Sequence, residues 1–282
     1  MASFKKAEEP KSILRLPYIL PMAKRKEEPT FLITVSERQL REFHLIVDAY
    51  KAYTVVPEKE VWKVKSNNDL WMHHIGQVMV VGGAISKERF DSNEELQAMA
   101  NFDVLKALKS DDALQRQINE VLRKAGVRYA GKDYRKCAKS RALAKNLRFL
   151  SNYNGGLKGL LEELSNWEGQ DAELRRVDHL MQHLAFMKSK SARDFLMGLG
   201  MNQNTLALDI RIANVMRHVG VAFPTPGALG KETFYRELEL QIIEKLCHPL
   251  RILPLLFDRL LFQHEGRIIR SLYRNGQIFK QM

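Results

Sequence analysis

Cys137 and Cys247 are the only cysteines in this 282-residue chain. Two thiols cannot form a disulfide framework or ligate a four-cysteine iron–sulfur cluster, and such sparse use suits a reducing cytoplasm. No apolar run approaches the roughly 20 residues that span a bilayer, so no membrane association is expected. Residues 1–28 carry charges and prolines but no apolar core of the kind a secretory signal needs. Internal repeats and low-complexity tracts are missing, and no stretch alternates convincingly enough for a sheet. His73, His74 and the other histidines lack cysteines or carboxylates at ligand spacing, so neither a zinc site nor any other metal or cofactor is expected.

What remains is a basic, helical chain. Lysine and arginine number 45 against 33 acidic residues, for a formal charge of +12, with an ordinary apolar content of 45%. Such a surface attracts a polyanion, nucleic acid before an anionic membrane. Lys5, Lys6, Lys11, Lys24, Arg25 and Lys26 make residues 1–30 a candidate flexible basic arm or a plain solvated tail.

Apolar periodicity predicts helices along the remainder. Ser36 reads as the N-cap of a helix through Tyr50, with Leu40, Phe43, Ile46 and Val47 on one stripe. Asn68 reads as the cap of a buried helix running to about Val81 and stopped by Gly82-Gly83. Short helices follow near 86–90, 92–99 and 103–109, then a longer one from Ala113 to Lys124 before Gly126. A long amphipathic helix is expected from Tyr134 to Tyr153, and others over 157–166, 175–186, 190–199, 210–219, 231–247 and 254–263, with a mixed polar tail after them.

Lys190 and Asp209 are the residues with the most chemistry to offer. Lys190 opens one short helix and Asp209 opens the next. Two helices folded back on each other can bring both starts to one cleft. A neutral lysine amine can attack a sugar C1′ and form a Schiff base, but a free lysine has a pKa near 10.4, so the surroundings must favour the neutral form. The partial positive charge of a helix N-terminus does so, as do Lys188 and Arg193 nearby. A carboxylate at a helix start stays ionised, and it can stabilise the positive charge that grows on a sugar as its base departs. Plainer readings compete: a solvated lysine, with Lys188 a rival for the same role, and a simple aspartate cap.

In Lys190-Ser191-Ala192-Arg193-Asp194-Phe195-Leu196, followed by Leu208-Asp209-Ile210-Arg211-Ile212, the chain resembles the helix-hairpin-helix DNA glycosylases, in particular the bifunctional 8-oxoguanine glycosylase/AP lyases. The likeness spans roughly residues 66–265 and is strongest at 185–215. It reaches the turn Ala125-Gly126-Val127-Arg128-Tyr129, the basic helix with Lys139-Ser140-Arg141, and Asn154-Gly155-Gly156 before the hairpin. It implies Lys190 as Schiff-base nucleophile and Asp209 as catalytic carboxylate. It also implies an all-α, two-lobed fold with a cleft between the lobes. One lobe would comprise residues 31–75 with 221–282, and the other residues 76–220 with the hairpin at about 178–200.

The departures are informative. Family members usually carry a Gly-x-Gly turn in the hairpin, which meets a DNA phosphate and a monovalent cation. Here Ala185-Phe186-Met187-Lys188-Ser189 has no glycine. Lys188 and Ser189 remain candidate phosphate contacts, with Lys136, Lys139, Arg141 and Arg211. The loop at 81–85 stands where some relatives insert a side chain into the gap left by a flipped base. Asp178, His179 and His183 are candidates for the base pocket or for an ordinary helix surface. Trp62, Trp71 and Trp167 are candidates for stacking or, more simply, for the core. The expected activity is excision of a damaged or modified base, 8-oxoguanine foremost, from double-stranded DNA by a monomer. Excision of another base, or a catalytically silent DNA-binding module, are the alternatives.

Overall fold

Ser36 begins the first helix with a reciprocal pair of hydrogen bonds. Its Oγ accepts from the Gln39 amide at 3.3 Å, and Gln39 Oε1 accepts from the Ser36 amide at 2.8 Å. The computed structural model describes residues 31–80 and 85–279, with side chains as far as 273. Helix α1, Glu37–Tyr50, buries Phe43, Ile46 and Val47 of the expected stripe and leaves Leu40 half-buried.

Helix α2, Asn67–Met79, is capped by Ser66 rather than Asn68. Ser66 and Asp69 form the same reciprocal box, which satisfies two orphan amides at once. Asn68 instead accepts from the Phe102 amide at 2.9 Å and ties α2 to a later helix start. Three short helices follow: α3 (Ile85–Asp91), α4 (Glu94–Met99) and α5 (Phe102–Ala107). The last two begin at side-chain caps from Asn93 and Asn101. Helix α6, Asp111–Lys124, starts at Ser110. The chain leaves it through Gly126 at φ +78°, a conformation costly for other residues.

The single helix expected from Tyr134 is broken. Tyr134–Lys136 form a 3-10 turn, Cys137 is extended, and α7 runs Ala138–Asn152. Asp133 caps the 3-10 turn by accepting from the Arg135 amide, and the extended Cys137 separates that turn from α7. Helices α8 (Gly156–Ser165), α9 (Ala172–His183), α10 (Ser189–Gly198) and α11 (Ile210–His218) follow close to expectation. Helix α12 spans Glu232–Ile242 and continues as a π-helical turn, Ile243–Cys247.

The last helix, α13, is far longer than the sequence suggested. It spans Pro254–Phe279, where a polar tail was expected after Gln263. Phe257, Leu260, Leu261, His264 and Ile268 are all buried, and their spacing keeps one apolar stripe running through the polar residues. Among the described residues there is no strand, so the fold is all-α. No helix of the described residues is long and apolar enough to cross a membrane.

Helix α2 is central to the larger core. Its Leu70, Trp71, Ile75 and Val78 are buried, and it packs on α5, α7, α8 and α10. Trp62 and Trp71 belong to this core, and Trp71 donates to the Ala100 carbonyl at 3.0 Å. Elsewhere α1 and α11 both lie on α13. The approach of α2 to α10 requires Gly198. A Cβ there would sit 2.9 Å from the His73 ring, too close for contact. That approach sets the floor of the site described next.

Candidate active site

Helices α9 and α10 fold back on each other through residues 184–188, which form the glycine-free hairpin turn. Phe186 supplies the left-handed backbone that glycine would otherwise take, with φ +65°. A side chain from α7 holds this turn in place. Asn146 Oδ1 accepts from the Ala185 amide at 2.7 Å, and Nδ2 donates to the Ala185 carbonyl at 2.9 Å. Asn146 Nδ2 also lies 2.9 Å from His74 Nε2, so that ring nitrogen is the acceptor. Burial, reinforced by the neighbouring His73, lowers the His74 pKa to about 3, consistent with the neutral ring this contact needs.

Beyond the turn, the Lys188 amide donates to Ser191 Oγ at 2.8 Å, and α10 begins. Lys190 therefore sits in the first turn, with its side chain one-third exposed. Its amine lies 2.9 Å from Asp194 Oδ2, one turn further along the helix. The other oxygen of Asp194 meets Arg259 of α13 at 2.9 Å. Burial alone would raise the Asp194 pKa, but Lys190 and then Arg259 outweigh it and hold the carboxyl below its usual range. Lys190 is thus aimed by a carboxylate that is itself fixed from the opposite side.

Asp209 caps α11. Its Oδ1 accepts from the amides of Arg211 and Ile212 at 2.9 and 3.2 Å. These bonds use one oxygen; Oδ2 has no hydrogen-bond partner among the described residues. Lys190 and Asp209 line the same cavity of about 630 Å³, together with Asp194, Arg211, Arg259 and Phe262. Lys188 is exposed and does not line it, which separates the two candidate lysines. Helix α2 adds His73 and Gln77 to the wall. Burial lowers the His73 pKa to about 4 despite the neighbouring Asp194 charge, so the ring is neutral near neutral pH.

A buried polar network fixes the two helix starts relative to each other. Arg193 of α10 is fully buried, and its Nε lies 2.9 and 3.0 Å from the carboxylate oxygens of Glu239 on α12. Glu239 Oε1 accepts from the Leu206 amide at 2.7 Å. Asp258 accepts from the Ala207 amide at 2.7 Å, and Tyr235 Oη from the Leu208 amide at 2.6 Å. Three successive amides leading to Asp209 are therefore each held by a buried side chain. Burial pushes the Asp258 carboxyl up to about 7, against the nearby charge of Arg259.

Other expectations fare unevenly. Arg211 lines the cavity and lays its guanidinium over the Phe262 ring, 4.1 Å from the centroid. Lys136 is exposed but pairs with Asp133 at 3.4 Å, and Arg141 is exposed and bonds the Arg135 carbonyl. Lys139 and Ser189 are both buried. Both are thereby withdrawn from the surface on which phosphate contacts were expected. Asp178 pairs with Arg236. His179 meets Trp167 edge to face and His183 stacks on Phe149, and none of these lines the cavity. Cys137 and Cys247 are buried. The basic arm at 1–30 and the loop at 81–84 lie outside the described residues.

Sequence reasoning missed Asp194, Arg259, His73 and Gln77. Only Asp194 left a signal, its i, i+4 spacing from Lys190. Arg259 and the α2 residues come from distant elements and reach the site through packing alone.

No family model matches the chain, and no curated protein matches it significantly. Among solved structures it is similar to the 8-oxoguanine DNA glycosylase of Methanocaldococcus jannaschii. The identity is 18%, over 80% of this chain and 90% of that one, with a TM-score of 0.54. It is also similar to the 8-oxoguanine glycosylase/lyase of the same organism in complex with a 15mer DNA containing 8-oxoguanine. There the identity is 15%, the coverage 82% and 97%, and the TM-score 0.55. Together with the hairpin that carries Lys190 and the helix start that carries Asp209, the likeness shows that this chain has the all-α fold of the helix-hairpin-helix 8-oxoguanine DNA glycosylases.

Proposed function

We propose that the protein is a DNA glycosylase with AP-lyase activity, acting as a monomer on double-stranded DNA that contains a damaged or modified base, 8-oxoguanine foremost. The observation that carries this reading is the shared cavity of Lys190 and Asp209, each at the start of a helix. The solved neighbours named as glycosylases for 8-oxoguanine support the same class of chemistry.

In this reading the duplex is bent and one nucleotide leaves the stack for the cleft, between a lobe of residues 31–75 with 221–282 and a lobe of residues 76–220. The Lys190 amine, relieved of its proton, attacks C1′; the bond to the base breaks, and the base leaves with a proton. Asp209 stabilises the positive charge that grows on the sugar and assists removal of the amine proton. The sugar ring opens to an imine on Lys190. Loss of a C2′ proton then expels the 3′ phosphate by β-elimination and nicks the strand. Lys188, Arg211, Lys136 and Arg141 are the cations we assign to the DNA backbone, which makes binding fall steeply with salt.

Borohydride trapping on a duplex with an 8-oxoguanine tests the reading. The expected result is a covalent protein–DNA adduct, lost in Lys190→Gln and kept in Lys188→Gln. An adduct that survives Lys190→Gln would remove the assignment. Salt-sensitive duplex binding with neither trapping nor excision would leave a silent DNA-binding module.

A further inference from the structure

The carboxylate that touches the Lys190 amine is not Asp209. Among the described residues that amine has one hydrogen-bond partner, Asp194 Oδ2 at 2.9 Å, while Asp209 turns one oxygen to the cap of α11. Ion pairs between residues four apart are common on helix surfaces. In Arg41–Glu37, Lys87–Asp91, Arg116–Asp112 and Arg175–Asp171, about half or more of the acid's side chain meets water. Asp194 differs on three counts. It is 13% exposed, its second oxygen is held by Arg259 of α13, and it lines the cavity that holds Lys190. A pair that served stability alone would gain little from such burial.

We propose that Asp194 takes the proton that Lys190 must lose before it attacks the sugar, which leaves Asp209 to stabilise the sugar's positive charge. This rests on the glycosylase reading above. An ordinary lysine is an ammonium at neutral pH, with a pKa near 10.4, so attack requires an acceptor within hydrogen-bond reach. The ammonium passes one proton to Asp194 Oδ2, and the freed electron pair bonds to C1′ as the bond to the base breaks. The base leaves with that bonding pair and takes a second proton from the nitrogen. The nitrogen pair then forms the imine as the C1′–O4′ bond breaks, and O4′ takes the proton held on Asp194. One proton stays on the imine nitrogen, and Asp194 is again a carboxylate. Arg259 keeps it in place throughout, from the opposite oxygen.

Asp194→Asn keeps the volume and an oxygen for Arg259, and removes the capacity to take a proton. Borohydride trapping on a duplex with a preformed abasic site is timed from about pH 8 to about pH 10. At the lower end the variant is expected to trap about a hundredfold more slowly than the unaltered protein. Near the upper end, where a lysine loses its proton to solvent, the gap closes to about threefold. The other titratable or charged groups facing the pair are Arg259 and Asp258 of α13, His73 of α2, Asp209 and Arg211 of α11, and Lys87, Glu88 and Asp91 of α3. His73 at about 4 and Asp258 at about 7 titrate below the range, and Lys87 is common to both proteins. Unchanged or faster trapping in the variant would overturn the proposal, because a carboxylate that only holds the ammonium slows the amine. An equal loss at every pH would overturn it as well, since that marks a positioning contact. Where Asp194→Asn does not fold, Asp194→Ala is assayed with sodium formate: restored trapping supports the proposal and no gain removes it. If the unaltered protein traps no abasic duplex, the glycosylase reading itself has failed; if it traps and the variants match it, Asp194 alone loses its role.

Discussion

The core around α2 and the seam beneath the two proposed catalytic helix starts are both fully buried, and they are built from opposite materials. Leu143, Leu147, Leu150, Leu157, Leu160 and Leu161 fill the former, all with no exposure at all. The seam holds Arg193, Glu239, Tyr235 and Asp258 at similar depth. Each buried leucine contributes about 1.5–3 kcal/mol of burial energy and accepts many neighbours of similar shape. A buried ion pair contributes little net stability against its desolvation cost, but its hydrogen bonds fix direction. The difference shows where the chain needs stability and where it needs placement. Leucines hold the helices together; charges fix where α10 lies relative to the segment ending at Asp209.

The largest expected effect breaks the seam. Glu239→Ala leaves Arg193 buried without its main partner and frees the Leu206 amide, so about 3–5 kcal/mol of stability is lost in denaturant titration. Replacing Arg193 and Glu239 together with Met and Leu recovers most of that loss while abasic-site trapping stays low. Recovery of both would show that the seam only stabilises. Leu147→Ala, in the apolar core, costs about 3 kcal/mol, but trapping per folded molecule is unchanged.

Acid sharpens the contrast from another direction. His73 and His74 have folded pKa values of about 4 and about 3 against an ordinary 6.5, so the unfolded chain binds more protons below pH 6.5. Their contribution is complete above pH 6.5 and is lost as pH falls toward 4 and then 3. Asp258 works the other way: its carboxyl is at about 7 in the fold against 3.8, so its contribution is present at low pH and lost as pH rises. The two histidines make stability fall between pH 6.5 and 4, and Asp258 offsets part of that fall. Urea titrations at several pH values check this, and Asp258→Asn should steepen the slope. The smallest effect lies far from both regions: Ser36→Ala removes one cap and costs about 1 kcal/mol with no change in trapping.

The sequence reveals the helices better than it reveals the site. Helix starts were readable where a Ser, Asn or Asp capped them, as at Ser36 and Asp209, because capping is local chemistry. Ser66 outcompeted Asn68 because Asp69 stands three residues after it and closes the reciprocal box. The end of the last helix was misjudged because charged residues between Gln263 and Phe279 hide the stripe through His264 and Ile268. That Lys190 and Asp209 face one cavity could be anticipated from two successive helix starts in a chain that folds back on itself. Gln77, Arg259, Glu239 and Tyr235 were not legible, since each meets the site from an element whose approach is set by packing across the molecule. Lys139 and Ser189 were expected at phosphates from a basic helix and a helix start, and both side chains are buried in the fold.

The Asn146 clamp on Ala185 also bears on how the chain acquires its shape. A hairpin built with glycines can take its turn unaided, whereas this one has Phe186 in a backbone region that bulky residues avoid. Both Asn146 bonds from α7 hold the turn in that form. A chain that is only partly folded, during synthesis or after damage, would have the helix of Lys190 without its alignment. In a protein read as cutting DNA strands, that dependence is a safeguard: an incomplete molecule has no working blade.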